Sequence, residues 1–383
     1  MISVTKPFLP PISQYQEHLN GIWARNHLTN EGPLSDLLET KISQFLDLPH
    51  SILNVANGGL ALQLLIHALD VQGEIITTPF SYIATSSCAL WEGCSLIYAD
   101  IDAKTLNIDP NKIESYLTPN TKAILATHVF GNPCEVESIE QIARKYNLTV
   151  IYDASHCFNV KYKGRSLLEW GDASFMSTHA TKIFHTVEGG VIYSKHEKVR
   201  KSVEWMRRYG HKDFDSYFGV GINAKLSELH AAMGLCNLDY LPSILERRKE
   251  ICRAYDDLFS KSSIATKALN ISDDTVWNYS YYPVLLENEE KLLELVEWMS
   301  QKEIFLRRYF YPSLDRVFIG GAKNPVCENI AKRIVCFPLF YQMDDHQLAL
   351  VAQGLQAFER LVEEASQTEG EFESFTESGV LKK

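Results

Sequence analysis

The sequence predicts an α/β fold, a largely parallel sheet flanked by helices and followed by a smaller α+β C-terminal domain, and three observations carry this expectation. Runs rich in β-branched and aromatic residues at 74–78, 95–99, 122–127, 148–152, 173–176 and 191–193 alternate for the most part with helical stretches such as 135–146. That is the pattern of strands covered on both faces by crossover helices. At 383 residues the chain exceeds a usual single core, so two domains are expected. Around residue 240 the alternation stops: helices at 226–238 and 243–259 are separated by Pro242, and beyond them candidate strands at 279–286 and 334–339 belong to the smaller unit. The expected domains are therefore 1–240 and 241–383. The tail from about 363, rich in Glu, Ser, Thr and Gly, is expected to be at least partly disordered.

In chain order, the elements bring reactive groups to the strand ends. Gly58 and Gly59 open an apolar helix at 60–69, where backbone amides can approach a phosphate; the plainer reading is an ordinary loop. The strand at 74–78 is followed by Tyr82, whose ring can stack on a flat cofactor or simply fill the core. The run at 148–152 delivers Asp153 to the carboxyl end of a parallel strand, the edge at which such sheets bind ligands. A carboxylate there can pair with a pyridine nitrogen and keep it protonated, or can merely cap the turn that follows.

The run at 173–176 leads into Ser177-Thr-His-Ala-Thr-Lys182-Ile-Phe-His-Thr-Val-Glu188-Gly189-Gly190. Lys182 has no charged neighbour before Glu188 and is flanked by Ala180, Ile183 and Phe184. A desolvated lysine offers a neutral amine that forms a Schiff base with a carbonyl cofactor. Its alternative is a solvated surface lysine. Gly189 and Gly190 would allow a tight turn into the strand at 191–193, and His179 and His185 read as structural wall residues.

Glycine turn, aromatic, aspartate and lysine, in that order, resemble the DegT/DnrJ/EryC1/StrS sugar aminotransferases, a branch of the fold-type I pyridoxal phosphate enzymes. The resemblance spans nearly the whole chain, through Leu28-Thr-Asn30-Glu-Gly32-Pro33, Phe130-Gly131-Asn132-Pro133, Gly221-Ile-Asn223-Ala-Lys225 and Arg307-Arg308-Tyr309-Phe310-Tyr311-Pro312. It implies an aspartate-aminotransferase-like, mostly parallel seven-stranded sheet with an antiparallel strand near the lysine, and pyridoxal 5'-phosphate as cofactor. By the same resemblance Lys182 carries the cofactor, Asp153 pairs with its ring nitrogen, Tyr82 stacks on the ring and His156 lies near the ring hydroxyl. Ser177 would hold the phosphate together with Gly58 and Gly59, where relatives often supply a hydroxyl. Asn223 would reach that phosphate from a second subunit, which implies a homodimer with shared sites.

Relatives that replace the lysine with histidine become dehydratases, so Lys182 implies full transamination. The His179-Ala-Thr-Lys182 segment with Glu188-Gly-Gly is similar to that of enzymes acting on 4-keto-6-deoxy sugar nucleotides. Tyr152-Asp-Ala-Ser-His156 and the segment from Arg307 resemble enzymes of O-antigen pathways, with dTDP-4-keto-6-deoxyglucose as substrate and L-glutamate as amino donor. Asn30, Lys225, Arg307 and Arg308 are the candidates for substrate contacts, the cations for the diphosphate. The nucleotide and the gluco or galacto configuration of the product stay open.

Composition narrows the classes further. A net charge of −11 opposes general nucleic-acid binding. The eight cysteines are scattered without C-x-x-C spacing, which suits reduced thiols, and no metal site is expected. No apolar run is long enough to span a bilayer and the start lacks a signal-peptide core, so a cytoplasmic enzyme is expected. Three alternatives remain: a non-catalytic ligand-binding regulator on the same fold, another fold-type I branch such as a cysteine desulfurase, and a Rossmann dehydrogenase. Against the last, no G-x-G-x-x-G follows the first strand.

Overall fold

A computed structural model describes residues 1–319 and 324–378. Its main sheet has seven strands in the order Leu53–Val55, Gly190–Ser194, Ala173–Ser177, Thr149–Asp153, Thr121–Thr127, Glu74–Thr77 and Ser95–Tyr98. Six point the same way. Gly190–Ser194 is antiparallel to both its neighbours, with Gly190 opposite Val55 on one side and Ser177 on the other. Residues of the central strands alternate between two cores: Ile124, Ala126, Val150 and Tyr152 face one, while Ala123, Leu125 and Ile151 face the other. Burial on both faces is why these strands read as near-continuous apolar runs. Leu53–Val55 is the strand that reading misses, because three residues centred on a buried Asn54 carry no such run.

The smaller unit is built on an antiparallel sheet of Ala265–Lys267, Tyr282–Leu286 and Ile334–Phe337. Its middle strand starts three residues later than expected, after Tyr279 turns left-handed at φ 57°. Its last strand stops before Pro338, which has no amide to extend the ladder. Pro242 does not separate two helices; it sits in the first turn of Leu241–Phe259, where a missing N–H costs nothing. Ile2–Ser3 pairs in parallel with Ile304–Phe305, and Ile2 is buried in the core of this smaller unit. A further cluster, including Val4, Phe80, Phe130, Tyr281 and Phe310, joins the two parts.

The last helix, Asp345–Ser378, continues through the segment from about 363 that composition marks for disorder. Residues 379–383 lie outside the described ones. Among the described residues no helix is long and apolar enough to cross a membrane.

Candidate active site

Five strands of the main sheet end around one cavity of about 310 Å³, lined by Gly58, Gly59, Tyr82, Asp153, His156, Ser177, Lys182 and Arg307 among others. Parallel connectivity explains the convergence, since every crossover loop leaves the sheet at the same edge. Eight of the twelve residues singled out from the sequence therefore meet at one place.

Asp153 ends its strand and is buried. Its Oδ1 accepts the Ser155 amide at 2.9 Å, and its Oδ2 accepts the Thr85 hydroxyl at 2.9 Å. Thr85 is linked in turn to Ser81 at 2.9 Å, and Ser81 to Thr127 at 3.1 Å. The carboxylate thus caps the following turn and lines the cavity as well; the two readings of Asp153 are compatible.

Lys182 lies in the loop between Ala173–Ser177 and Gly190–Ser194. One side of it faces the cavity, yet it is packed deep enough that loss of solvation pushes its ammonium down to about 8, against the pull of Asp153. Phe184 anchors the loop by stacking on Phe158 at 4.4 Å. The turn into the next strand is not made by Gly189 and Gly190, neither of which has positive φ; Val187 takes the left-handed conformation at φ 70°. Gly190 serves close approach instead, because a Cβ there would lie 2.6 Å from the Asn57 carbonyl.

Gly58 and Gly59 are likewise not a loop ahead of the helix but the first residues of Gly58–Ala68. Asn57 is its N-cap, accepting the Leu60 amide at 2.8 Å. A Cβ on Gly58 would come within 3.0 Å of the Ser177 Cβ, so the helix start rests directly on the strand carrying that serine. The Ser177 hydroxyl accepts the His179 amide at 3.3 Å.

His156 is buried, and its Nδ1 accepts the Phe130 amide at 3.0 Å, which leaves the proton of the neutral ring on Nε2. Burial, reinforced by Lys182, keeps this ring from becoming charged by lowering its pKa well below the usual value. Tyr82, 57% exposed, presents its ring at the cavity rather than filling the core. Arg307 also faces the cavity, with its guanidinium 5.0 Å from the Tyr309 ring.

The other four candidates lie elsewhere. The Arg308 guanidinium is engaged by Glu289 at 2.7 Å and by the Lys332 carbonyl at 3.2 Å, and stacks 3.5 Å from the Tyr311 ring, so it braces the smaller unit. Asn30, left-handed at φ 67°, is exposed outside the cavity. Lys225 donates to Asn223 Oδ1 at 2.6 Å on a segment away from the cavity of its own chain. Sequence reasoning missed Asn57, Thr85 and Ser155. The first had a signal, an Asn directly before an apolar helix; the hydroxyls under Asp153 had none. His185 is buried with its Nε2 2.7 Å from the Phe8 carbonyl, a wall position, whereas His179 lines the cavity.

A buried carboxylate facing a desolvated lysine, a helix N-terminus opened by glycines and an available aromatic ring are the donor set that pyridoxal phosphate needs. Fold and cavity together define a fold-type I pyridoxal phosphate enzyme. The chain belongs to the DegT/DnrJ/EryC1/StrS aminotransferase family, whose sequence profile matches residues 12–356. It is 36% identical over 363 residues to the dTDP-4-amino-4,6-dideoxy-D-glucose transaminase of Shigella dysenteriae, covering 93% of this chain and 98% of that one. An enzyme of the same name from Escherichia coli is 35% identical over 356 residues, covering 90% and 95%. The solved structure of DesI in the presence of its TDP-sugar product superposes with a TM-score of 0.89 at 26% identity, covering 96% of this chain and 95% of that one. The protein is a pyridoxal phosphate-dependent sugar-nucleotide aminotransferase.

Proposed function

We propose that the chain transfers the amino group of L-glutamate to the C4 carbonyl of dTDP-4-keto-6-deoxyglucose, giving dTDP-4-amino-4,6-dideoxyglucose. The observation that carries this reading is the 36% and 35% identity, over nearly the whole chain, to two transaminases of that name. When bound, pyridoxal phosphate supplies an aldehyde that links to an amine and a protonated ring that withdraws the electron pair left on the adjoining carbon. Lys182 Nζ takes the proton from the donor's Cα and returns it in the opposite sense at the sugar's C4; an amine held near 8 is suited to both tasks. Asp153, fixed by Ser155 and Thr85, would pair with the ring nitrogen and keep it protonated. His156 would offer its Nε2 proton to the ring hydroxyl, and Tyr82 would cover one ring face.

Because Asn57 satisfies the Leu60 amide, the amides of Gly58 and Gly59 are left for the phosphate, together with the Ser177 hydroxyl. Arg307 is the cation for an incoming anion, the sugar's diphosphate or the donor's carboxylate. Asn223 and Lys225 act in the cavity of a second copy, in a homodimer. The product enters a surface polysaccharide such as O-antigen, and the reaction takes place in the cytoplasm, whose reducing conditions suit eight free cysteines.

The test is incubation of the loaded enzyme with glutamate and a panel of 4-keto and 3-keto sugar nucleotides, with the product's configuration read by NMR. An equatorial amine at C4 of the dTDP sugar is expected, with ping-pong kinetics. Turnover confined to 3-keto sugars, or an axial product, would refute the assignment.

A further inference from the structure

The loop that carries Lys182 turns on a residue unsuited to the turn. Val187 has φ 70°, a conformation that a β-branched side chain enters only when its surroundings force it. The group that holds it there is His185, whose Nδ1 accepts the Val187 amide at 3.2 Å. His185 is 1% exposed and is itself fixed from two directions. Its Nε2 donates to the Phe8 carbonyl at 2.7 Å, and its own carbonyl accepts the Asn237 side-chain amide at 2.8 Å. One ring nitrogen accepts and the other donates, so the tautomer is set. Phe8 in turn packs on Tyr240 at 4.9 Å and Tyr341 at 5.3 Å.

We propose that His185 is a positioning residue for Lys182: anchored on Phe8 and Asn237, it holds Val187 left-handed and so fixes the loop from which the lysine reaches the cavity. The path between them is short. The Val187 carbonyl accepts the Ala180 amide at 2.8 Å, two residues before Lys182, and the Thr178 and Thr186 hydroxyls bridge the loop's base at 2.7 Å. A Val187 that relaxes to negative φ pulls Ala180 with it and moves the lysine. The proposal rests on Lys182 being the reacting amine.

The experiment compares His185→Ala, His185→Asn and the double variant His185→Ala/Val187→Gly. Hydrogen exchange of the 178–189 amides is read in cofactor-free protein, and kcat and KM in the loaded enzyme. For His185→Ala, loop exchange should rise by at least about 10-fold and kcat should fall by about 10- to 100-fold, with KM for the sugar nucleotide changed by less than about 3-fold. Val187→Gly in that background is expected to restore both, because glycine takes φ 70° without strain. His185→Asn, whose Oδ1 can accept the Val187 amide as in an Asx turn, should stay within about 3-fold of the unmodified enzyme.

Unchanged exchange and kcat in His185→Ala would overturn the proposal, as would a double variant no better than the single one. If His185→Ala does not fold, His185→Asn decides: loss of loop protection there sinks it. Borohydride trapping of the cofactor on a residue other than Lys182 would instead refute the reading of the lysine, while leaving the exchange result on the loop intact.

Discussion

At the scale of single residues, the proposed chemistry depends on a lysine kept partly uncharged by its surroundings. Burial outweighs the attraction of Asp153, so in cofactor-free protein the Lys182 amine is neutral above a pH of about 8. Surface lysines remain charged to about 10.4. An amine-acylating reagent should therefore modify Lys182 with a pH midpoint near 8, measured by peptide mass spectrometry; a midpoint near that of surface lysines would contradict the burial argument. The same shift has a sign for stability. Between about 8 and the ordinary lysine value the unfolded chain binds more protons than the folded one, so this group's contribution to stability rises with pH across that window. Lys182 and Asp153 were legible because strand ends and an uncharged neighbourhood are sequence patterns. Arg308 was misread because nothing near it in sequence announces Glu289 or the carbonyls at the end of the Pro325–Arg333 helix.

At the scale of elements, the sequence gives strands more faithfully than it gives the use of glycine. Buried β-branched runs have few other readings, and six of the seven main strands follow them closely. Glycine pairs suggest turns, yet Gly58 and Gly190 are needed where two backbones press together, a long-range fact absent from local pattern. The true turn residue, Val187, is one that no propensity rule would choose. The helix Gly58–Ala68 depends on Asn57, since two glycines are a poor helix start on their own. Asn57→Ala is expected to cost about 1 kcal/mol. That should appear as a fall of about 1–3 °C in the melting temperature of the cofactor-free protein. An unchanged melting curve would show that the cap is dispensable.

At the scale of the whole molecule, Asn223 and Lys225 lie outside their own cavity, on a segment where Phe214 is 99% and Val220 89% exposed. If that segment completes a second copy's site, Lys182→Ala and Asn223→Ala should complement each other. Co-expressed, they form hybrid dimers with one intact site, and activity should recover to about a quarter of the unmodified enzyme. A mixture no more active than Asn223→Ala alone would rule out shared sites. The division into a larger and a smaller unit could be anticipated from where alternation ends. The return of the first strand to the smaller unit could not, because two residues carry no pattern.

That return orders events during synthesis. Ile2 and Ser3 are made long before the strand they join, Ile304–Phe305, which follows the entire main sheet in the chain. The nascent chain must keep this short apolar segment unpaired while the larger unit condenses, a period in which it is open to capture by chaperones. Phe8, just behind that strand, packs against Tyr240 and Tyr341, so the backing for the Lys182 loop is completed only once Tyr341 has been made.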